Sequence, residues 1–309
     1  MARVALVFLA GVVGISFAAI FVREALPAPP VSSAFYRMLF ASAALLGWAA
    51  LRGRAPRLGR RAALFALAAG ACFGADLALW HTSIVLTSVA MATLLVNTTP
   101  IPVGLFARVV LRERLPASFV FGAALAIAGA ALLLGISRGD LERTRGALLA
   151  LAAALFYTGY LLLMKSARRR GDAAEALLLA NLGSTAVLGI AAVVGGDPFA
   201  GFPARSWAAI SGAAVVSQLG GVTAIVWALR YLPATVASVS LLAQPVGTAL
   251  LGWWLLGESL APRELAGGAM VLAGIALASR SAATEPLSAG TAAASTTGRM
   301  PAGPSRPAS

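Results

Sequence analysis

Charge is scarce in this sequence: 11% of its 309 residues are charged, and the mean hydropathy is +0.87. A water-soluble domain carries about 25% charged residues to face its solvent. Too few charges remain here to coat a globule of this size, which excludes a soluble fold. Acidic residues are scarcer than basic ones, 11 against 24, for a net charge of +13. The basic residues are scattered through short segments between apolar runs and do not gather into a patch, which argues against a nucleic-acid partner. One cysteine, Cys72, excludes an intramolecular disulfide framework and a cysteine-rich metal site. One histidine, His81, excludes the His-Glu-x-x-His pair of a metalloprotease. Asp76 is the lone aspartate within an apolar run, whereas an intramembrane aspartyl protease needs two. A Ser-His-Asp hydrolase would have to use His81 at the rim of such a run. No phosphate-binding P-loop is present, so direct use of ATP is not expected, and neither a metal nor a cofactor is predicted.

What the sequence has is length of apolar run. Ten runs fall near 4–22, 31–51, 62–81, 87–107, 116–136, 146–164, 174–195, 206–228, 233–255 and 264–280. About 20 apolar residues cross a hydrocarbon core roughly 30 Å thick. The first run, with Arg3 ahead of it, is too long for the apolar core of a secretory leader and nine similar runs follow, so it is read as a retained helix. Residues 281–309 are small, polar and proline-containing, and are expected to be a disordered tail. Orientation follows from lysine and arginine. Arg52, Arg54, Arg57, Arg60 and Arg61, then Arg108, Arg112 and Arg114, then Lys165, Arg168, Arg169 and Arg170 fall on one side. Arg23, Arg138, Arg143, Arg145, Arg205 and Arg263 fall on the other. The richer side is predicted to be cytoplasmic and to hold both termini.

The chain also repeats itself. At a constant offset of 145, Pro100 matches Pro245, Glu113 matches Glu258, Leu115 matches Leu260, Gly122 matches Gly267 and Gly129 matches Gly274. Each half holds five runs, and an odd number turns the second half upside down in the bilayer. The prediction is an all-α integral membrane protein of ten transmembrane helices, built as two inverted five-helix repeats, 1–136 and 146–280. Inverted repeats recur in secondary transporters, where substrate sits between the halves near the midplane. A duplicated bundle with a purely structural role is the alternative.

The repeat endings LRERL (111–115) and LGESL (256–260) each follow a proline-containing apolar run and precede a glycine-rich one, FGAALAIAGAALLLG and AGGAMVLAGIALA. With GISFAAIFVRE (14–24), FYRMLFASAALL (35–46) and DLALWHTSIVLTSVAMATLLVNTTP (76–100), the chain resembles bacterial members of the EamA family of the drug/metabolite transporter superfamily over roughly residues 1–280. Residues 146–195 depart most from that pattern. The resemblance implies ten helices in two repeats and transport of small metabolites, often export of amino acids or related compounds, from a bacterial-type inner membrane. A monomer suffices for this scheme, with a homo-oligomer left open, and the bilayer and a small-molecule substrate are its expected partners.

Ionisable groups inside a bilayer are costly and mark functional candidates. Arg37, Asp76 and His81 qualify. Taking the run boundaries at face value, Arg37 and Asp76 lie at similar depths, so an ion pair between them is possible. That pair would be a structural staple, or Arg37 would take a substrate carboxylate and Asp76 an amine or a proton. Trp80 and His81 fall at the predicted outer interface, where they are either belt residues or gating and proton-handling groups. Nearer the midplane lie Asn97 and Thr99 before Pro100, then Tyr157, Tyr160, Gln218 and Gln244. Proline frees a carbonyl one turn earlier, and freed backbone can serve a lined cavity; equally, these side chains can bond helix to helix. The expected function is metabolite export by alternating access. Multidrug efflux is the alternative, since aromatics beside a carboxylate suit organic cations.

Overall fold

The computed structural model describes residues 2–51, 58–110, 116–134, 141–168, 173–229 and 243–282. Glu113, the first part of the ninth run and the tail from residue 283 onward lie outside them. Every regular element among the described residues is helical: α1 (Ala2–Glu24), α2 (Pro30–Leu51), α3 (Arg60–Leu86), α4 (Val89–Val96), α5 (Pro100–Val110), α6 (Ala117–Leu134), α7 (Leu141–Arg168), α8 (Ala173–Gly195), α9 (Ala204–Gly212), a π-helical segment (Ala213–Gly221), α10 (Val222–Leu229), α11 (Ala243–Leu256) and α12 (Pro262–Ala282). Among the described residues, seven helical stretches are long and apolar enough to cross a membrane, and the shorter Ala117–Leu132 is apolar as well.

Local chemistry sets the ends. Proline opens α2, α5 and α12, where its missing N–H costs nothing and its fixed φ suits the first turn. Gly196, with φ of 70°, closes α8: Asp197 N–H bonds the Ala192 carbonyl at 2.9 Å and Gly196 N–H the Val193 carbonyl at 3.1 Å. Ser88 caps α4 by accepting from Met91 N–H at 3.1 Å.

Two predicted runs are broken. The fourth divides into α4 and α5 at residues 97–99, just before Pro100. The eighth carries nine residues of π-helix at its centre. The third is longer than its hydropathy suggested, continuing to Leu86, five residues past His81.

Packing relies on small residues, as expected where lipid supplies no drive for helices to associate. A Cβ on Gly122 would stand 2.6 Å from the Gly274 carbonyl oxygen, and one on Gly129 would stand 2.7 Å from the Gly267 oxygen, so α6 and α12 cross backbone to backbone. Ser184 ties α8 to α3 by donating to the Gly70 carbonyl at 2.8 Å. Ser217, in the π segment, donates to Gly14 of α1 at 2.8 Å. The outward faces carry Leu6, Val109, Phe121, Val194 and Trp254, all mostly exposed. Apolar exposure on this scale suits hydrocarbon, not water.

The end of the bundle where α1, α3, α8 and α11 finish is cross-linked by polar contacts. Arg205 pairs with Glu24, and Arg143 with Glu264. Ser32 and Tyr36 of α2 donate to the Pro198 and Phe199 carbonyls at 2.9 and 2.6 Å, holding the α8–α9 loop over the bundle.

Candidate functional site

Arg37 sits on the buried face of α2, 5% exposed. Its Nη2 donates to Gln218 Oε1 at 3.0 Å, while Nε and Nη1 are buried without a partner. Gln218 reaches it because the π segment re-aims the side chains of its helix, and π-helical turns concentrate at functional sites. Ser33, one turn before Arg37, lies 3.1 Å from His81 Nδ1 and donates to the Pro30 carbonyl at 2.9 Å. With the serine proton committed to Pro30, the network assigns a proton to Nδ1; Nε2 has no partner. His81 and Trp80 are buried, with rings 5.6 Å apart, and the indole N–H has no acceptor. Neither side chain faces outward as a belt residue would, and α3 runs past them to Leu86.

Among the described residues Arg37 and Asp76 make no direct salt bridge, but they share one buried interior and each feels the other's charge. The Ser33–His81 contact sets the level of the two oppositely running helices: Arg37 is four residues deeper than Ser33 and Asp76 five deeper than His81, about 6 and about 7.5 Å at the helical rise, so the two charges lie at similar depth. His81 thus comes level with the first turn of α2, and Arg37 and Asp76 both lie about one turn deeper. Asp76 Oδ1 is buried without a partner. Ser83 of α3 and Thr93 of α4 likewise bury unpartnered hydroxyls. One turn below Asp76, Phe73 stacks on Tyr160 with centroids 4.7 Å apart, and Tyr157 stacks on Tyr160 at 5.6 Å.

Three predicted residues stand apart. Asn97 Nδ2 donates to the Thr93 carbonyl at 2.8 Å and Thr99 Oγ1 to the Val96 carbonyl at 2.6 Å, so both seal the end of α4. At Gln244 the backbone carbonyl makes the contact, accepting from Ser16 at 3.2 Å. Ser33 and Ser83 were missed because serine in an apolar run reads as packing; the spacing of four between Ser33 and Arg37 was the available signal. Thr93 gave none.

Buried polar groups in proteins are normally satisfied, and each exception asks for an explanation. Among the described residues, seven buried and unpartnered side-chain atoms belong to Arg37, Asp76, Trp80, His81, Ser83 and Thr93. They supply donors, acceptors and one residue of each charge inside an apolar bundle. Such a cluster can strip a small polar solute of its water and replace the lost bonds, the requirement for carrying it through lipid.

Together the fold and the cluster define a multi-pass helical membrane protein equipped to transport small solutes. The model of the EamA-like transporter family matches residues 2–135 and again 144–280, and the chain belongs to that family. It is 30% identical over 196 residues, 63% of its own length and 68% of the relative's, to an uncharacterized transporter of Archaeoglobus fulgidus. A protein of known crystal structure shares the fold with a TM-score of 0.63 at 20% identity, over 89% of this chain and 97% of the other.

Proposed function

We propose that this transporter exports amino acids or related zwitterionic metabolites by alternating access, with Arg37 holding the substrate carboxylate and Asp76 its amine. The carrying observation is the buried Arg37 guanidinium, which shares one bond with Gln218 and leaves Nε and Nη1 unpartnered in the same interior as the unpartnered Oδ1 of Asp76. A zwitterion brings one charge of each sign and leaves the interior neutral, which minimises the desolvation cost.

In this reading the chain forms ten spans in two inverted repeats, 1–136 and 146–280, in a bacterial-type inner membrane with cytoplasmic termini. The glycine contacts support it. At the offset of 145 the contact of Gly122 with Gly274 maps onto that of Gly267 with Gly129. The Gly14–Ser217 contact maps likewise onto the close approach of Gly159 to Cys72. Contacts that interchange are expected of two repeats related by a two-fold axis. Arg37 and Gln218 then belong to different halves, and rocking one half against the other would make and break their bond. Asp76 is the proposed proton-coupling group, with His81 and Trp80 gating above it; substrate-driven proton flux that survives Asp76→Asn would sink the coupling. Tyr157 and Tyr160 extend the site on one side.

The stack of Phe73, Tyr157 and Tyr160 beside Asp76 favours a second reading, efflux of aromatic cations. Thermal stabilisation of the purified chain separates the two, because a ligand of the native state raises the melting temperature by mass action. Stabilisation by amino acids that is lost in Arg37→Ala supports the metabolite reading. Stabilisation confined to lipophilic cations and lost in Asp76→Asn supports drug efflux and removes the metabolite reading.

A further inference from the structure

Glu258 takes its place in the sequence as a repeat ending, and the site described above does not use it. In the structure its carboxylate sits against the start of α4, accepting from Val89 N–H at 3.3 Å through Oε1 and 3.2 Å through Oε2. Arg23, at the end of α1, brings Nη2 to 3.9 Å from Glu258 Oε1. The same guanidinium donates through Nη1 to the Ile84 and Val85 carbonyls at 2.9 and 3.1 Å. One arginine–glutamate pair thus fastens four chain ends: those of α1, α3 and α11, and the first residue of α4.

Position distinguishes this pair from the others at the same end. Arg205–Glu24 joins α9 to α1 at an exposed rim, and Arg143–Glu264 joins the starts of α7 and α12. Arg23–Glu258 stands over the polar cluster. The Ile84 carbonyl it holds lies one turn above Trp80, and Ile84, Val89, Trp80 and Leu256 pack in one apolar cluster beneath it. Above lies a cavity of about 290 Å³, walled by Arg23, Thr87, Ser88, Arg143, Glu258 and Glu264. The side chains are 30% and 15% exposed, so water from the cavity reaches the pair. An ion pair in contact with water can part and reform at small cost, and the α3–α4 link is already broken at Thr87 and Ser88.

We propose that Glu258 and Arg23 form a gate at this end of the transport route, closing the cavity off from Trp80 and the polar cluster until the pair separates. Glu258 lies in the second family match and Arg23, Ile84 and Val89 in the first, so relative motion of the halves is what would pull it apart. The inference rests on the alternating-access reading but is tested without a substrate.

The test uses full-length protein in membrane vesicles, with Cys72→Ser to clear the background and Ser83→Cys as reporter. Ser83 is fully buried, three residues before the end of α3 and therefore beneath the gate. A small, charged methanethiosulfonate reagent is applied from each face of the membrane in turn. Glu258→Ala and Arg23→Ala should raise the labelling rate at least fivefold from the cavity face and leave the opposite face unchanged. Glu258→Gln keeps an oxygen for Val89 N–H but loses the charge, and should give a smaller rise on the same face. An unchanged rate in every variant that folds overturns the gate, and so does an equal rise from both faces, which marks general loosening. If Glu258→Ala does not fold, Glu258→Gln and Arg23→Ala decide. A one-sided rise in a protein for which no amino acid is a ligand keeps the gate and removes the substrate; transport without such a rise does the opposite.

Discussion

The α6–α12 crossing and the junction of α2, α3 and the π segment share one bundle but follow opposite rules. At the crossing, glycines let two backbones touch, and among the described residues no buried side-chain polar group there lacks a partner. At the junction, arginine, aspartate, tryptophan and histidine are buried with atoms unpartnered. One region is optimised for association, and the other holds polar groups ready for a guest. The comparison teaches that stability and transport are assigned to different places, and substitutions should separate them.

The largest effect is expected at the crossing. Gly122→Leu or Gly274→Leu drives a side chain into backbone that a Cβ alone would approach to 2.6 and 2.5 Å. Overpacking costs about 1–3 kcal/mol, and more where backbone is the obstacle. Either variant should lower the melting temperature in detergent by roughly 10 °C at about 2–4 °C per kcal/mol. Transport should fall in step with the folded fraction. A variant that keeps its melting temperature would break the comparison from this side.

Arg37→Ala should reverse the pattern. Removing a buried charge whose one hydrogen-bond partner is neutral relieves a desolvation penalty that nearby Asp76 offsets only in part, so the melting temperature should hold or rise. Transport should fall about 100-fold, as loss of a desolvated charge contact costs about 2–5 kcal/mol. Proteoliposome flux and thermal unfolding on one preparation check both halves of the statement. A fall in stability matching the fall in flux would make Arg37 a structural staple.

Gln218 sharpens the boundary between the regions. Gln218→Ala leaves Arg37 without its hydrogen-bond acceptor, at a cost of about 1.5–3 kcal/mol for a bond to a charged group. Substrate affinity should drop about tenfold. Gln218→Glu should give Arg37 a carboxylate at the same place; the melting temperature should rise while transport falls, because substrate must then displace an ion pair. Titration of the thermal shift measures both.

The class of fold was legible because it rests on bulk quantities: scarce charge and long apolar runs. The glycines that build the α6–α12 crossing were visible as matched positions at the 145 offset, since close backbone approach admits few other residues. Asp76, Arg37 and His81 stood out by the cost of burying them. Their partners did not, because pairing depends on helix register. A run that hydropathy ends at residue 81 but the chain continues to Leu86 shifts every depth on α3 by more than a turn. That shift puts His81 beside Ser33 inside the bundle, with Arg37 and Asp76 both about one turn deeper. The π segment carries no compositional mark, so the approach of Gln218 to Arg37 was invisible. Glu258 was noticed as a repeat ending, but its bond to Val89 N–H crosses 169 residues and no local pattern announces it.

The smallest effect is expected at residues 97–99, where polar side chains near a proline resemble a site and serve the backbone instead. Pro100 cannot donate to the carbonyl one turn earlier. Asn97 donates to Thr93, and Thr98 and Thr99 donate to Leu95 and Val96 at 2.7 and 2.6 Å, so the freed end of α4 is sealed from within. A substrate would have to compete with bonds that cost the chain nothing to keep. Asn97→Ala and Thr99→Val should therefore each cost about 0.5–1.5 kcal/mol of stability, the net worth of one neutral bond. Flux per folded molecule should change less than about threefold, well short of the loss in Arg37→Ala. Flux lost at Asn97 with the melting temperature intact would move the break at α4 into the transport site, and the division between packing and polar regions would have to be redrawn around it.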